Sequence, residues 1–179
     1  MRVRCLMTVV VTALGAALAR SAAAQIPGTL VPISTRSYIG INPLGLPVDI
    51  GTIEVENAVA PGVTLGGVGS YIDVNHTRFT TFDFKVRYYP GEIVLRGLSV
   101  GGSAGYTHFS NEVDGTRQTL SAPTIGIIVD DNRLVGRSEH FLVGTGVGVK
   151  RVLASSDERA RAGVDRAVFT ARLILGVAF

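Results

Sequence analysis

The chain has 179 residues, enough for one domain, with 46% hydrophobic and 17% charged residues and a mean hydropathy of +0.36. Its formal charge of +3 invites a nucleic-acid reading, but Arg2, Arg4 and Arg20 all lie in the first 24 residues. Without them seventeen basic residues fall to fourteen, against fourteen acidic ones, so no basic excess is left for nucleic acid.

Residues 1–24 have the pattern of a secretory signal peptide. Arg2 and Arg4 precede an apolar run from Cys5 to Leu18, broken only by Thr8, Thr12 and Gly15, and small residues follow at Ser21-Ala22-Ala23-Ala24. The run falls short of the roughly 20 apolar residues a spanning helix needs, so the expected outcome is cleavage after Ala24. The only cysteine, Cys5, leaves with the signal, and the mature chain has neither a disulfide nor thiol chemistry. Cys5 stands before the apolar run rather than at the cleavage point, which argues against a lipid-anchored cysteine.

After residue 25 helix signals are scarce, glycine recurs every few residues, and β-branched and aromatic residues are frequent. Turn-forming clusters fall at Asn42–Pro47, Ala60–Gly62, Asp73–His76, Tyr89–Glu92, Ser110–Arg117, Asp130–Arg137 and Ala154–Gly163. Seven breaks leave eight predicted strands: Ser34–Ile41, Val48–Ala58, Gly62–Ile72, Thr77–Tyr89, Val94–Phe109, Gln118–Val129, Ser138–Leu153 and Val164–Phe179. Several exceed the five or six residues of an ordinary soluble strand and match the nine to eleven of a tilted membrane-crossing one.

Alternation indicates which face is which. In Thr77–Tyr89, Phe82, Phe84, Val86 and Tyr88 share one parity, while Thr81, Asp83, Lys85, Arg87 and Tyr89 share the other. In Ser138–Leu153, Phe141, Val143, Val147 and Val149 oppose Gly144, Gly146, Gly148 and Lys150; the last segment repeats the pattern from Ala167 to Phe179. A soluble sandwich would need a polar outer face. A second face of small residues with isolated charges fits a narrow barrel lumen instead. The expected fold is all-β, an eight-stranded antiparallel up-and-down transmembrane β-barrel over residues 25–179, after a cleaved signal peptide at 1–24. Entry from the periplasm would put the short turns inside and the longer Ser110–Arg117 and Ala154–Gly163 loops outside. Tyr71, Tyr106 and Phe109 would then sort to the outer rim, and Tyr88, Phe141 and Phe179 to the inner one.

With these features and a final Arg172-Leu173-Ile174-Leu175-Gly176-Val177-Ala178-Phe179, the chain resembles small OmpA-type outer-membrane β-barrel proteins. The resemblance implies an outer-membrane location, contact with outer-membrane lipid and lipopolysaccharide, and recognition of the last strand by the barrel-assembly machinery, with Phe179 as the signal. No segment resembles the peptidoglycan-binding domain some relatives carry, so no cell-wall tether is implied.

Seven charged residues fall on the lumen parity: Glu54, Glu56, Asp83, Lys85, Arg87, Lys150 and Arg172. Isolated charges in a narrow interior are costly, so opposite signs should pair, with Arg172 partnering Glu54, Glu56 or Asp83. The expected function is structural or interactive, non-enzymatic and without a cofactor, the lumen being plugged by ion pairs. Alternatives are a small ion-conducting pore and a soluble periplasmic lipocalin-like binding barrel. A further alternative is enzymatic: His108-Phe109-Ser110-Asn111 is similar to the His-x-Ser-Asn element of outer-membrane lipid A deacylases, and shared parity could bring His108 and Ser110 together as base and nucleophile. The matching downstream position holds Ser121-Ala122-Pro123 with no acid, and the bland account is a loop-edge histidine and a turn serine. His76 and His140 are too far apart in this topology to suggest a metal site. Gly144–Gly148 lacks the helix and lysine of a phosphate loop, and Ser155–Arg161 reads as a solvated external loop.

Overall fold

A computed structural model describes residues 37–43, 50–74, 77–113 and 116–179. Eight antiparallel strands close on themselves in chain order. They are β1 (Ser37–Ile41), β2 (Ile50–Ala60), β3 (Val63–Val74), β4 (Thr77–Tyr88), β5 (Gly97–Val113), β6 (Thr116–Val135), β7 (Phe141–Val152) and β8 (Ala167–Ala178). The expected signal peptide and cleavage point, His76 and most of the expected Asn42–Pro47 turn lie outside the described residues.

The ring closes where β1 pairs with β8, with Ile39 opposite Val177. Following partners around the wall from Ile39 through Val55, Gly67, Phe84, Ala104, Ile125 and Arg151 leads to Ala167, ten residues before Val177. A stagger of ten over eight strands, with 3.3 Å per residue and 4.8 Å between strands, tilts the strands by about 40° from the barrel axis. Each residue then climbs about 2.5 Å along the axis.

Side chains alternate as the pleat requires. On β4, Thr81, Asp83, Lys85 and Arg87 are buried while Phe82, Phe84, Val86 and Tyr88 are exposed, Phe84 at 67%. The same holds around the wall, where Ile53, Val55, Ile125, Ile127, Phe169 and Val177 are all exposed. Apolar groups therefore cover the outside and polar ones fill the inside.

Two predicted breaks are strand. Ser110–Val113 and Thr116–Arg117, within a stretch expected as a loop, are strand, β5 and β6 staying paired out to Val113 and Thr116. Asp130–Arg137, expected as a turn, is strand up to Val135. Both segments are polar, and polarity marks a turn only where the strand faces are apolar. Phe109 differs from an exposed girdle aromatic in its facing: it turns inward and packs with Leu120, Ala122 and Val152.

At the end bearing Ser37 and Phe179, the β4–β5 connection folds under the barrel. Val94 and Leu95 are buried there with Tyr38, Tyr89, Leu142, Ile174 and Ala178. Leu95 holds a φ of 62°, a left-handed conformation that costs a branched side chain of order 1 kcal/mol or more and persists only when packing fixes it. This end of the lumen is shut by apolar side chains.

The opposite end carries the long β5–β6 hairpin and a correction to the external-loop reading of Ser155–Arg161. Ser156–Ala162 is a helix, α1, and its Ala162 packs on Leu120, Ala122 and Val152. It starts at a capping box: the Ser155 hydroxyl accepts from the Glu158 amide, and the Glu158 carboxylate accepts from the Ser155 amide at 3.0 Å. It ends at Gly163 with φ 66°, where glycine adopts the left-handed region freely.

The Ser155 hydroxyl and amide hold the Glu158 carboxyl below its ordinary value. A depressed carboxylate contributes stability above its unfolded pKa, about 4.3 for Glu, and that contribution is lost as pH falls through the folded value. Amide exchange in α1 should therefore accelerate selectively on acidification below pH about 4, and Glu158→Gln should remove most of that pH dependence. Exchange with the same pH response in both proteins would rule out the cap.

Candidate functional site

The lumen charges form the candidate site. Glu54 on β2 is 1% exposed and lies at its centre. It accepts from Arg87 Nη2 at 2.7 Å, from Arg172 Nε and Nη2 at 3.0 Å each, and from Lys85 Nζ at 3.3 Å. The Tyr38 hydroxyl donates to it as well. Strand tilt and closure make this possible, because β8 and β2 flank the short β1 and bring residues 118 apart in sequence into contact.

Below Glu54, towards the shut end, Arg87 is the hub. Its Nε donates to Asp130 at 2.6 Å and its Nη1 is ion-paired with Glu56. Glu56 also accepts from Tyr89 at 3.1 Å and from the Thr64 hydroxyl. Asn132 links the layers, donating to the Tyr89 hydroxyl at 2.7 Å and accepting from Arg172 Nη1 at 2.9 Å. Above Glu54, Asp83 is ion-paired with Lys150 across the barrel and accepts from Thr81 at 3.2 Å.

The structure thus brings all seven lumen candidates into one region, with Arg172 on Glu54. It adds Tyr38, Tyr89, Asp130 and Asn132, which were not among the candidates. Tyr89 already shared the parity of Asp83, Lys85 and Arg87, so its place was readable. Asp130 and Asn132 were hidden by their reading as a turn. The buried network holds four carboxylates (Glu54, Glu56, Asp83, Asp130) and four cations (Lys85, Arg87, Lys150, Arg172), so it is electrically balanced.

Space for it comes from glycines on the facing strands. A Cβ at Gly146 would overlap the Asp130 carboxylate, and one at Gly144 would overlap Arg172 and Asn132. Gly144-Thr145-Gly146-Val147-Gly148 is therefore the clearance into which the network fits. Within the lumen remains a cavity of about 330 Å³, lined by Thr81, Thr107 and Thr124 and by both signs of the ionic layer, Glu54, Asp83, Lys85, Lys150 and Arg172 among them.

His108 and Ser110 are not brought together as a pair. His108 is exposed and Ser110 is buried. His108 Nδ1 lies 2.7 Å from Ser121 Oγ, its cross-strand neighbour, and this pairing was not foreseen. Among the described residues no carboxylate is hydrogen-bonded to His108, so the orienting group of a nucleophilic triad is not seen. His140 meets the Ala178 carbonyl at 3.2 Å, and no metal-binding group of three is found among the described residues. Phe179 is exposed, with its backbone paired to Ser37 at 2.9 Å.

Removing one partner from a buried ion pair leaves an uncompensated charge, at a cost of about 3–5 kcal/mol. Arg172→Met should lower unfolding stability in detergent micelles by about 3 kcal/mol. Arg172→Met combined with Glu54→Gln should lose less than the sum of the two single variants, because the pair is coupled. Additive losses in urea unfolding would show that Arg172 and Glu54 do not act together.

No family model matches the sequence, and no curated protein is similar to it. Among solved structures, the chain is similar to the N-terminal β-barrel domain of OprF from Pseudomonas aeruginosa. The match covers 81% of this chain and 96% of that domain, with a TM-score of 0.52 and 16% sequence identity. At that identity the likeness is one of fold: an outer-membrane-type eight-stranded barrel.

Proposed function

We propose that this chain is a bacterial outer-membrane β-barrel protein with a structural or interaction role, its lumen plugged by ion pairs. One observation carries the proposal: charged and hydroxyl side chains fill the inside while exposed apolar side chains cover the outside. In water that arrangement would leave a large apolar surface solvated, at about 25 cal/mol per Å². In a bilayer the same surface meets hydrocarbon, and closure leaves no strand edge unpaired.

The dimensions agree. Twelve residues tilted by about 40° span about 30 Å, the thickness of a hydrocarbon core. Exposed Tyr71 and Tyr106 stand near one end of this band and exposed Tyr88 and Phe141 near the other. The stagger separates the two groups by about 20 Å along the axis, as expected of interfacial aromatic girdles. In the proposed orientation the shut end faces the periplasm, and α1 with the β5–β6 hairpin faces outward. The first 24 residues direct export, the outer wall contacts outer-membrane lipid and lipopolysaccharide, and β8 with Phe179 presents the chain to the barrel-assembly machinery. A structural role is favoured over a pore because Tyr38, Tyr89, Leu95 and Leu142 close one end beneath a balanced ionic layer.

Expressed with its N-terminal segment, the protein should fractionate with the outer membrane, begin at Gln25 by intact mass, and migrate faster on gels when unboiled. Recovery as a soluble periplasmic protein without a heat-dependent shift would overturn the membrane assignment and favour the lipocalin-like alternative. Steady bilayer conductance that changes in Arg172→Ala would favour the pore.

A further inference from the structure

Charged side chains on the outward parity stand at the two edges of the apolar wall, and most of them are matched. At the edge nearer the shut end, Arg133 Nε donates to Asp131 at 3.0 Å. At the α1 end, Arg78 Nε donates to Asp73 at 2.8 Å, and the Tyr71 hydroxyl donates to the same carboxylate at 3.1 Å. Arg151 is the exception. It follows Val147 and Val149 on the outward parity of β7, opposite Ile125 on β6 and Ala167 on β8, and it is exposed. Among the described residues no carboxylate is ion-paired with it.

A second arginine stands beside it. The Arg166 carbonyl accepts from the Val152 amide at 3.0 Å, which seats Arg166 next to Arg151 across the β7–β8 ladder. Arg166 is also exposed and also lacks an ion-paired carboxylate among the described residues. The acids of α1 are engaged locally: Asp157 accepts from Ser156 at 3.5 Å and Glu158 from Ser155 at 2.7 Å. Asp165, the other acid of the β7–β8 connection, is ion-paired with neither arginine. Like charges side by side on neighbouring strands are destabilising, so the barrel holds two guanidiniums together without a counter-charge of its own. By the stagger, Arg151 lies within about 3 Å of the level of exposed Tyr71 and Tyr106. Immediately towards the shut end the wall is apolar, with Ile125, Val149 and Phe169 all exposed.

Resting on the proposed membrane location, the geometry points to Arg151 and Arg166 as a site for the phosphate of a membrane lipid in the leaflet at the α1 end. Charge and height together select that occupant. Two adjacent guanidiniums call for an anion, and the planar arginine fork can bond two phosphate oxygens at once. A headgroup phosphate lies at the boundary between water and hydrocarbon, the level at which interfacial aromatics stand. Its acyl chains would then run down over Ile125, Val149 and Phe169. An acidic protein reaching Arg151 would have to enter the headgroup layer and lose its hydration beside an apolar wall. In the proposed orientation this is the outer leaflet, whose lipopolysaccharide carries phosphates on its lipid A.

The test takes the full protein, extracted from membranes in detergent, and titrates it with diphosphoryl lipid A, with the same lipid stripped of its phosphates, and with inorganic phosphate. Bound copies are counted by native mass spectrometry. Wild type should bind the diphosphoryl lipid at least fivefold more tightly than the stripped one. Arg151→Gln/Arg166→Gln should lose that preference while keeping the heat-dependent gel shift. Arg117→Gln, which removes an exposed arginine near the tip of the β5–β6 hairpin, should retain it. Equal binding of the two lipids, or a preference that survives in the double variant, would overturn the site and leave the membrane assignment standing. Inorganic phosphate bound as tightly as the lipid would also overturn it, by making the free ion the occupant. A protein without any heat-dependent shift would end both proposals. Should the double variant fail to fold, Arg151→Gln alone must still cut the preference at least twofold.

Discussion

Everything inside this barrel is arranged around the Glu54 carboxylate. Two arginines, a lysine and a tyrosine hydroxyl, from β4, β8 and β1, converge on it. A single charge buried without such partners would cost several kcal/mol, so the interior of this narrow ring is set by satisfying charge rather than by apolar packing. The glycines of β7, the tyrosines near the shut end and the polar run at Asp130–Asn132 all follow from it. Each either supplies a partner or vacates the volume a partner needs. Apolar clusters lie at the two ends, where Leu95 and Leu142 close one and Leu120 with Ala162 lines the other, and Val68 and Ile128 are buried between them.

The sequence made the architecture legible because the β period of two is unambiguous when one face is apolar and the other small or charged. Phe82, Phe84 and Val86 against Asp83, Lys85 and Arg87 settle both the strand and its facing. What failed was the use of polarity as a loop signal. Asp130, Asp131 and Asn132 look like a turn in a protein whose interior is apolar; in this one Asp130 and Asn132 are interior residues. The same error shortened β5 and β6, whose polar ends pair beyond the apolar band. Val113-Asp114-Gly115-Thr116 holds a two-residue hairpin signal that was available but absorbed into a supposed loop. The Ser155-x-x-Glu158 box with Gly163 was likewise a complete helix signature.

The candidate site was legible by parity and no further. Parity identifies who faces the lumen, but which residues meet depends on the stagger, which sequence alternation does not specify. A stagger of ten places Arg172 beside Glu54 and Lys150 beside Asp83; another even value would keep the same residues inside and deal out different partners. His108 illustrates the converse. A local pattern suggested Ser110 as its companion, whereas strand pairing supplies Ser121 from across the ladder. Neighbours in a sheet are chosen by register, not by proximity in sequence.

That dependence makes the ionic layer a check on assembly. Tyr38 and Arg172, which meet through a 2.9 Å hydrogen bond, are 134 residues apart in sequence, so their contact forms only when the first and last strands join. Until then eight charges lack their full set of partners, and a partially zipped sheet would have to carry them with little compensation. A slip of one residue would turn them onto the apolar outer face, and a slip of two would mismatch acids and bases. Neutralisation and closure are thereby coupled: joining β1 to β8 completes the pairing of the interior, and rings of the wrong stagger lack the energy that holds the correct one shut.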